Sequence, residues 1–112
     1  MLKGLIISVK DLFDVKGYKT RGGSKFLNPE ICLKDAECIS LIRTAGGLLI
    51  GHTNMTELAY SGLGINPHYG TPLNPIYKGA IPGGSTSGGA VSISLDISDI
   101  TIGTDTGGST RI

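Results

Sequence analysis

The sequence has few charged residues and no excess of either sign. Charged residues make up 17% of the chain, with ten Lys and Arg against nine Asp and Glu. Disordered segments usually carry more charge, and a nucleic-acid-binding surface needs basic residues concentrated on one face, which no stretch of this chain provides. We therefore expect a globular protein that does not bind nucleic acid directly.

Cysteine and long apolar runs are also scarce. The two cysteines, Cys32 and Cys38, have a spacing that fits neither a zinc site nor a disulfide framework. The apolar run near the start, Leu5–Val9, is too short for a signal peptide or a membrane span. We expect two reduced thiols, no metal site, no membrane association and a cytoplasmic location.

What the sequence does contain is enough apolar material for one hydrophobic core. Hydrophobic residues make up 39% of the 112 residues, and this length is typical of one domain. We therefore predict a single domain over residues 1–112.

The apolar patterns predict an α/β fold. Leu5–Val9 is typical of a buried strand, Lys34–Ala45 has apolar residues at helical spacing, and Leu48–Ile50 is typical of a second buried strand. The order strand, helix, strand predicts a parallel βαβ unit. Further along, Ala90–Leu95 favours a helix and Ile97–Ile102 favours a strand.

The segment His52–Pro82 is predicted to be a long loop. It carries four of the five prolines and shows no sustained periodicity, and we expect only one short helix in it, after Asn54. Loops of this length are uncommon in compact domains unless they are functional, so we expect this one to wrap a site.

Glycine is abundant, with 18 residues, and it is concentrated in two segments. The first, Pro82–Gly89, invites comparison with a phosphate-binding loop. A P-loop needs Lys and then Ser or Thr after its last glycine, but Gly88 is followed by Gly89 and Ala90. A dinucleotide fingerprint fails as well, because no further glycine follows Gly62–Gly64 where the motif requires it. Nucleotide binding is therefore not favoured.

The second glycine-rich segment, Gly103–Arg111, places Ser109 behind two glycines. Glycine permits the positive φ values with which successive backbone N–H groups can converge on an oxyanion. A serine nucleophile also needs a base to take its proton. The two histidines, His52 and His68, leave a Ser-His-Asp triad open. Lys10, directly after an apolar strand, is the best placed of the lysines to act as a neutral base.

Three segments in this order are similar to the hallmark segments of the amidase-signature family: Ser8–Asp11, Pro82–Gly88 and Gly103–Arg111. Two others, Gly51–Glu57 and Asn66–Pro75, resemble family segments that line the site. The resemblance covers essentially the whole chain. It implies an α/β fold with a mixed β-sheet flanked by helices, and hydrolysis of a small-molecule amide without a cofactor.

The resemblance also implies a Ser-Ser-Lys triad. Ser109 would be the acyl-accepting nucleophile, Ser85 the bridging serine that relays the proton, and Lys10 the base at the end of the relay. Thr86 and Ser87 are alternative relay hydroxyls. The implied reaction acylates Ser109 with release of ammonia or an amine, and water then hydrolyses the ester.

An oxyanion hole is implied in the turn before the nucleophile. Asp105 and Arg111 flank this turn, and they either brace it or form an ordinary surface ion pair. The backbone N–H groups implied to bind the oxyanion are those of Thr106, Gly107, Gly108 and Ser109.

Family members are several times longer, so we expect the chain to be a truncated N-terminal catalytic fragment. A full-length form would be compatible with a homodimer. The first alternative function is that of the amidase-type component of the glutamine-dependent tRNA amidotransferase, which passes ammonia to partner subunits. The second is a catalytically inactive remnant. Asn66–Pro75 looks more like the corresponding segment of general amidases.

Overall fold

A three-stranded sheet forms the centre of the computed structural model, which describes residues 1–112. The strands are β1 (Ile6–Lys10), β2 (Leu48–Thr53) and β3 (Ile100–Ile102), in the order β2-β1-β3. Both neighbours pair with β1 in parallel. The predicted α/β fold and the parallel pairing of the first two strands are therefore confirmed.

Two α-helices flank the sheet, α1 (Glu37–Thr44) and α2 (Ser87–Ser94). Ile39 of α1 packs with Val9 of β1, while Ser8 of β1 bonds to Ser92 of α2. Because successive side chains of a strand point to opposite faces, the two helices cover opposite faces of the sheet. The central strand β1 thus presents an apolar face to α1 and a polar face to α2.

The helix α1 begins three residues later than the sequence predicts. The carboxylate of Asp35 accepts a hydrogen bond from the Lys16 backbone N–H at 2.7 Å and bonds Arg43 Nε at 2.8 Å. Ala36 then has an extended conformation, with ψ 150°, so Glu37 is the acidic residue of the first turn. Asp35 therefore anchors the entry to the helix from outside it. The helix ends at Thr44, and Gly46 follows with φ +92°, as its predicted stop signal requires.

The helix α2 begins earlier and β3 is shorter than the sequence predicts. Ser87, Gly88 and Gly89 all belong to α2, although two consecutive glycines are poor helix formers. Ser98 lies outside β3 because its side chain turns inward to bond Ser92 Oγ at 2.9 Å. The strand is consequently limited to Ile100–Ile102.

The long loop contains the expected short helix, a 3₁₀ turn at Glu57–Ala59. Its first residues belong to β2, which extends to Thr53. Asn66 is buried and holds the loop together: its Nδ2 donates to the carbonyls of Gly23 and Met55, and its Oδ1 accepts from two backbone N–H groups. Four hydrogen bonds thus satisfy a buried amide that the sequence alone did not single out.

No helix in the structure combines the length and the apolar character that crossing a lipid bilayer requires. Cys32 and Cys38 are free thiols, each partly exposed.

Candidate active site

Lys10 ends β1 with its side chain inside the protein. The residue is fully buried, and it is the largest side chain in the interior. Its Nζ lies 2.6 Å from Ser85 Oγ and 3.0 Å from both Thr86 Oγ1 and Thr104 Oγ1. Each of these partners is a neutral hydroxyl, and no carboxylate forms an ion pair with the amine.

This environment changes the acidity of the Lys10 ammonium. Burial lowers the pKa of Lys10 to about 8, and the charge of Asp105 opposes part of that change. A buried amine loses the hydration that stabilises its charged form. Lys10 therefore has a substantial neutral fraction near neutral pH, which a general base requires.

Glycines allow the segment that carries Ser85 to approach the rest of the site. A Cβ added at Gly84 would lie 2.7 Å from the Gly64 backbone nitrogen and from Thr56 Oγ1. The carbonyl of Ser85 accepts a hydrogen bond from the Thr56 N–H at 3.1 Å. Ser85 is thereby fixed between the loop and β1, with no exposed surface.

The turn that carries Ser109 is built around Asp105. Its carboxylate accepts hydrogen bonds from the N–H of Gly108, from the N–H and hydroxyl of Thr110, and from two nitrogens of Arg111. Arg111 and Thr110 hold the pKa of Asp105 well below its ordinary value. The arrangement is more than a surface ion pair, because a single carboxylate fixes the turn at three residues.

The amides before Ser109 fall into two groups. The Gly108 N–H donates to Asp105 at 3.0 Å, and Gly108 has φ +127°. The N–H groups of Thr106, Gly107 and Ser109 donate to no protein acceptor. Three of the four amides in the expected oxyanion hole are thus free to bind a ligand oxygen.

Ser109 joins the two glycine-rich segments through its backbone. Its carbonyl accepts a hydrogen bond from the Thr86 N–H at 3.2 Å. Its side chain is partly exposed and makes no hydrogen bond to Ser85 or Lys10. The structure therefore brings Lys10 and Ser85 into contact and leaves Ser109 beside them without a side-chain link.

Two cavities meet at Ser109. One of about 430 Å³ lies between α2 and β3 and includes Ala90, Ile93 and Thr101. The other, of about 240 Å³, is lined by Thr106 and Gly107 on one side and by the segment 59–62 of the long loop on the other. The loop thus forms part of the wall of a cavity at the site, as its length predicts.

Neither histidine contacts Ser109. The Nε2 of His52 lies 2.9 Å from the Phe13 carbonyl, and the Nε2 of His68 lies 2.9 Å from Glu57 Oε1. The structure therefore contains no Ser-His pair at this site. Thr104, a Lys10 partner that the sequence analysis missed, had one available signal, its position directly after the third strand.

Known proteins share both the sequence and the fold of this chain. The family model for Amidase matches residues 1–112. Amidase 1 of Arabidopsis thaliana is 44% identical over 99% of the chain. The amidase-like component of the glutamyl-tRNA(Gln) amidotransferase of Methanococcus maripaludis strain C7 is 43% identical over 98%. The chain spans about a quarter of these relatives, 27% and 26%.

A solved structure agrees with the sequence comparison. A crystal structure of an amidase aligns with a TM-score of 0.91 at 44% identity, over 99% of this chain and 25% of that one. Because the family match extends over every residue, as the three glycine- and lysine-containing segments predict, the chain belongs to the Amidase family.

Proposed function

We propose that this chain supplies the catalytic residues of a serine amidase that hydrolyses a carboxamide C–N bond. The observation that carries the proposal is the buried 2.6 Å contact between Lys10 Nζ and Ser85 Oγ. A buried lysine without a carboxylate partner is costly for stability, so its presence favours a chemical role. Membership of the Amidase family supports the same class of reaction.

In the proposed reaction, Ser109 Oγ attacks the carbonyl carbon of the amide. The Ser109 proton passes to Ser85, whose own proton passes to neutral Lys10. Breakdown of the tetrahedral intermediate returns a proton to the leaving nitrogen and leaves an ester on Ser109. Water then attacks the ester, the same relay takes its proton, and the acid is released with Ser109 restored.

The relay requires a Ser109–Ser85 hydrogen bond that the structure does not contain. Catalytic hydrogen bonds commonly become short only in the complex with substrate. The bond between the Ser109 carbonyl and the Thr86 N–H supports the proposal, because it keeps the nucleophile segment beside the Ser85 segment.

The free N–H groups of Thr106, Gly107 and Ser109 would hold the carbonyl oxygen as it becomes negative. Thr106 and Gly107 line the smaller cavity, so we place the carbonyl group of the substrate there. A single oxyanion donor contributes about 3–4 kcal/mol to transition-state stabilisation in other hydrolases.

Labelling of the full-length protein with a fluorophosphonate tests the proposal. We expect the probe to label Ser109, and Lys10→Met to slow labelling by roughly 10²–10⁴-fold because the base is lost. Lys3→Met, which removes an exposed lysine, is the matched control and should label normally. Absence of labelling in the folded wild-type protein, or equal labelling in Lys10→Met, would refute the proposed chemistry.

The similarity to the Methanococcus maripaludis amidotransferase component supports a second candidate, hydrolysis of glutamine with delivery of ammonia to a partner protein. Ammonia release from glutamine and from simple carboxamides, measured with the same full-length protein, distinguishes the two. Preference for simple carboxamides favours the stand-alone amidase.

A further inference from the structure

Four buried hydroxyl groups form a second polar cluster, separate from the contacts of Lys10. Ser8 Oγ lies 3.0 Å from Ser92 Oγ, 3.1 Å from Ser98 Oγ and 3.0 Å from Thr101 Oγ1. Ser92 and Ser98 are 2.9 Å apart. The three serines are each no more than 6% exposed. We call these four residues the hydroxyl cluster.

The hydrogen bonds of the cluster have defined directions. Ser8 donates to Thr101 Oγ1, and Ser92 donates to the Gly89 carbonyl at 2.7 Å. Each hydroxyl has one proton, so the Ser98 proton serves the contacts with Ser8 and Ser92. Such a directional network fixes the relative positions of its elements more narrowly than apolar packing, which has no preferred direction.

The cluster joins the same three elements that meet at Lys10. Ser8 precedes Lys10 by two residues on the same face of β1. Ser92 lies in α2, directly after the segment that supplies Ser85 and Thr86. Thr101 lies in β3, just before Thr104. Each element that contributes a group to the Lys10 contacts is therefore held a second time by a cluster hydroxyl.

We propose that the hydroxyl cluster is a positioning device, with Ser8 at its centre, that sets the position of Lys10 relative to Ser85. This inference rests on the proposed function of Lys10 as a base. An interior that only needed stability would be served equally well by apolar side chains of the same shape. The four hydroxyls are explained when the spacing of β1, α2 and β3 has to be exact enough for a short Lys10–Ser85 contact.

Few other groups can act on Lys10. Asp105, which follows β3, is the charged group whose field reaches the amine. The helix α2 carries no titratable side chain, and His52 of β2 bonds Phe13 and faces Asp11. Loss of the cluster should therefore act on Lys10 mainly through packing: α2 loosens, water enters, and the pKa of Lys10 rises toward that of an ordinary lysine.

The test follows the titration of Lys10 by NMR in the full-length protein with ¹³C-labelled lysine, the signal being assigned by its loss in Lys10→Met. Ser8→Ala and the isosteric Thr101→Val should each raise the Lys10 midpoint by about one unit, which lowers the neutral fraction roughly tenfold at pH 7. Thr101→Ser keeps the hydroxyl and should titrate as wild type. Val15→Ala weakens the opposite, apolar face and should also leave the midpoint unchanged.

Absence of an upward shift in both Ser8→Ala and Thr101→Val would overturn the proposal, as would an equal shift in Val15→Ala. The NMR titration does not depend on activity. Failure of the proposed amidase function would appear instead as a folded wild-type protein whose Ser109 is not labelled by fluorophosphonate.

Discussion

At the scale of the residue, the partners of Lys10 permit either protonation state. A protonated amine can donate its three protons to Ser85, Thr86 and Thr104, one to each. A neutral amine donates two and accepts one from a hydroxyl, and the Ser85 contact is the shortest. A carboxylate in the same place would hold the amine protonated and remove its basicity.

The first prediction concerns pH. Lys10 acts as a base only when neutral, and burial lowers its pKa to about 8. The neutral form is gained as pH rises through that value and is lost below it. We expect the rate of fluorophosphonate labelling to increase about tenfold per pH unit below pH 8 and to level off above it. Labelling that slows between about pH 6 and 8 would contradict a lysine base.

The second prediction concerns the turn that carries the nucleophile. Asp105→Asn keeps the size of the side chain but loses the charge that holds Arg111 and Thr110. Displacement of the turn should slow Ser109 labelling by about a hundredfold. The control is Asp35→Asn, which breaks the pair with Arg43 at the other side of the sheet. Equal labelling of the two variants would show that Asp105 does not position the turn.

At the scale of the element, local patterns determine most of what the sequence could predict. The strand β1, the helix α1 and β2 follow from apolar spacing within short windows, so their existence and parallel order were predictable. The start of α1 was not, because Asp35 is held by Lys16, which is distant in sequence. The partners of Lys10 lie 75 to 94 residues away, and only the family resemblance indicated Ser85 among them.

The glycines of α2 show the same limit. Propensity alone suggests that Gly88 weakens the helix, and that alanine would stabilise it by about 1 kcal/mol. The structure reverses that expectation, because a Cβ at Gly88 would lie 2.6 Å from the Asn54 backbone nitrogen. Close approach of the helix to the end of β2 therefore requires glycine at this position.

The third prediction follows from this contact. Gly88→Ala should lower the free energy of unfolding by about 1–3 kcal/mol, measured by chemical denaturation, because backbone atoms cannot move aside. Gly107→Ala is the control for stability, since a Cβ there meets no atom within 4 Å. If alanine at position 88 stabilises the protein, helix propensity outweighs the steric contact and the explanation is wrong.

At the scale of the whole molecule, the interior is small and rich in polar groups. Only Ile7, Val9, Val15, Ile39 and Met55 are buried hydrophobic residues, whereas ten polar or charged residues are buried. Many large apolar side chains are exposed, among them Phe26 at 84% and Leu73 at 85%. Both β2 and β3 also leave one edge unpaired. Exposed apolar surface and open strand edges favour association.

The fourth prediction applies to these 112 residues expressed as an isolated polypeptide. With so few buried apolar side chains, we expect weak hydrogen-exchange protection outside β1 and association that increases with concentration. Native mass spectrometry and hydrogen exchange measure the two properties. A monomer with strong protection across all three strands would show that the polar interior suffices for stability.

The alternation of side chains along β1 has a consequence for how the gene can vary. Ser8 and Lys10 face α2 while Ile7 and Val9 face the other way, so inserting or deleting one codon between them would exchange the two faces. The amine would enter the apolar core and an aliphatic chain would meet Ser85. Length variation should therefore be tolerated in the surface loops on either side of this strand, but not within its five residues.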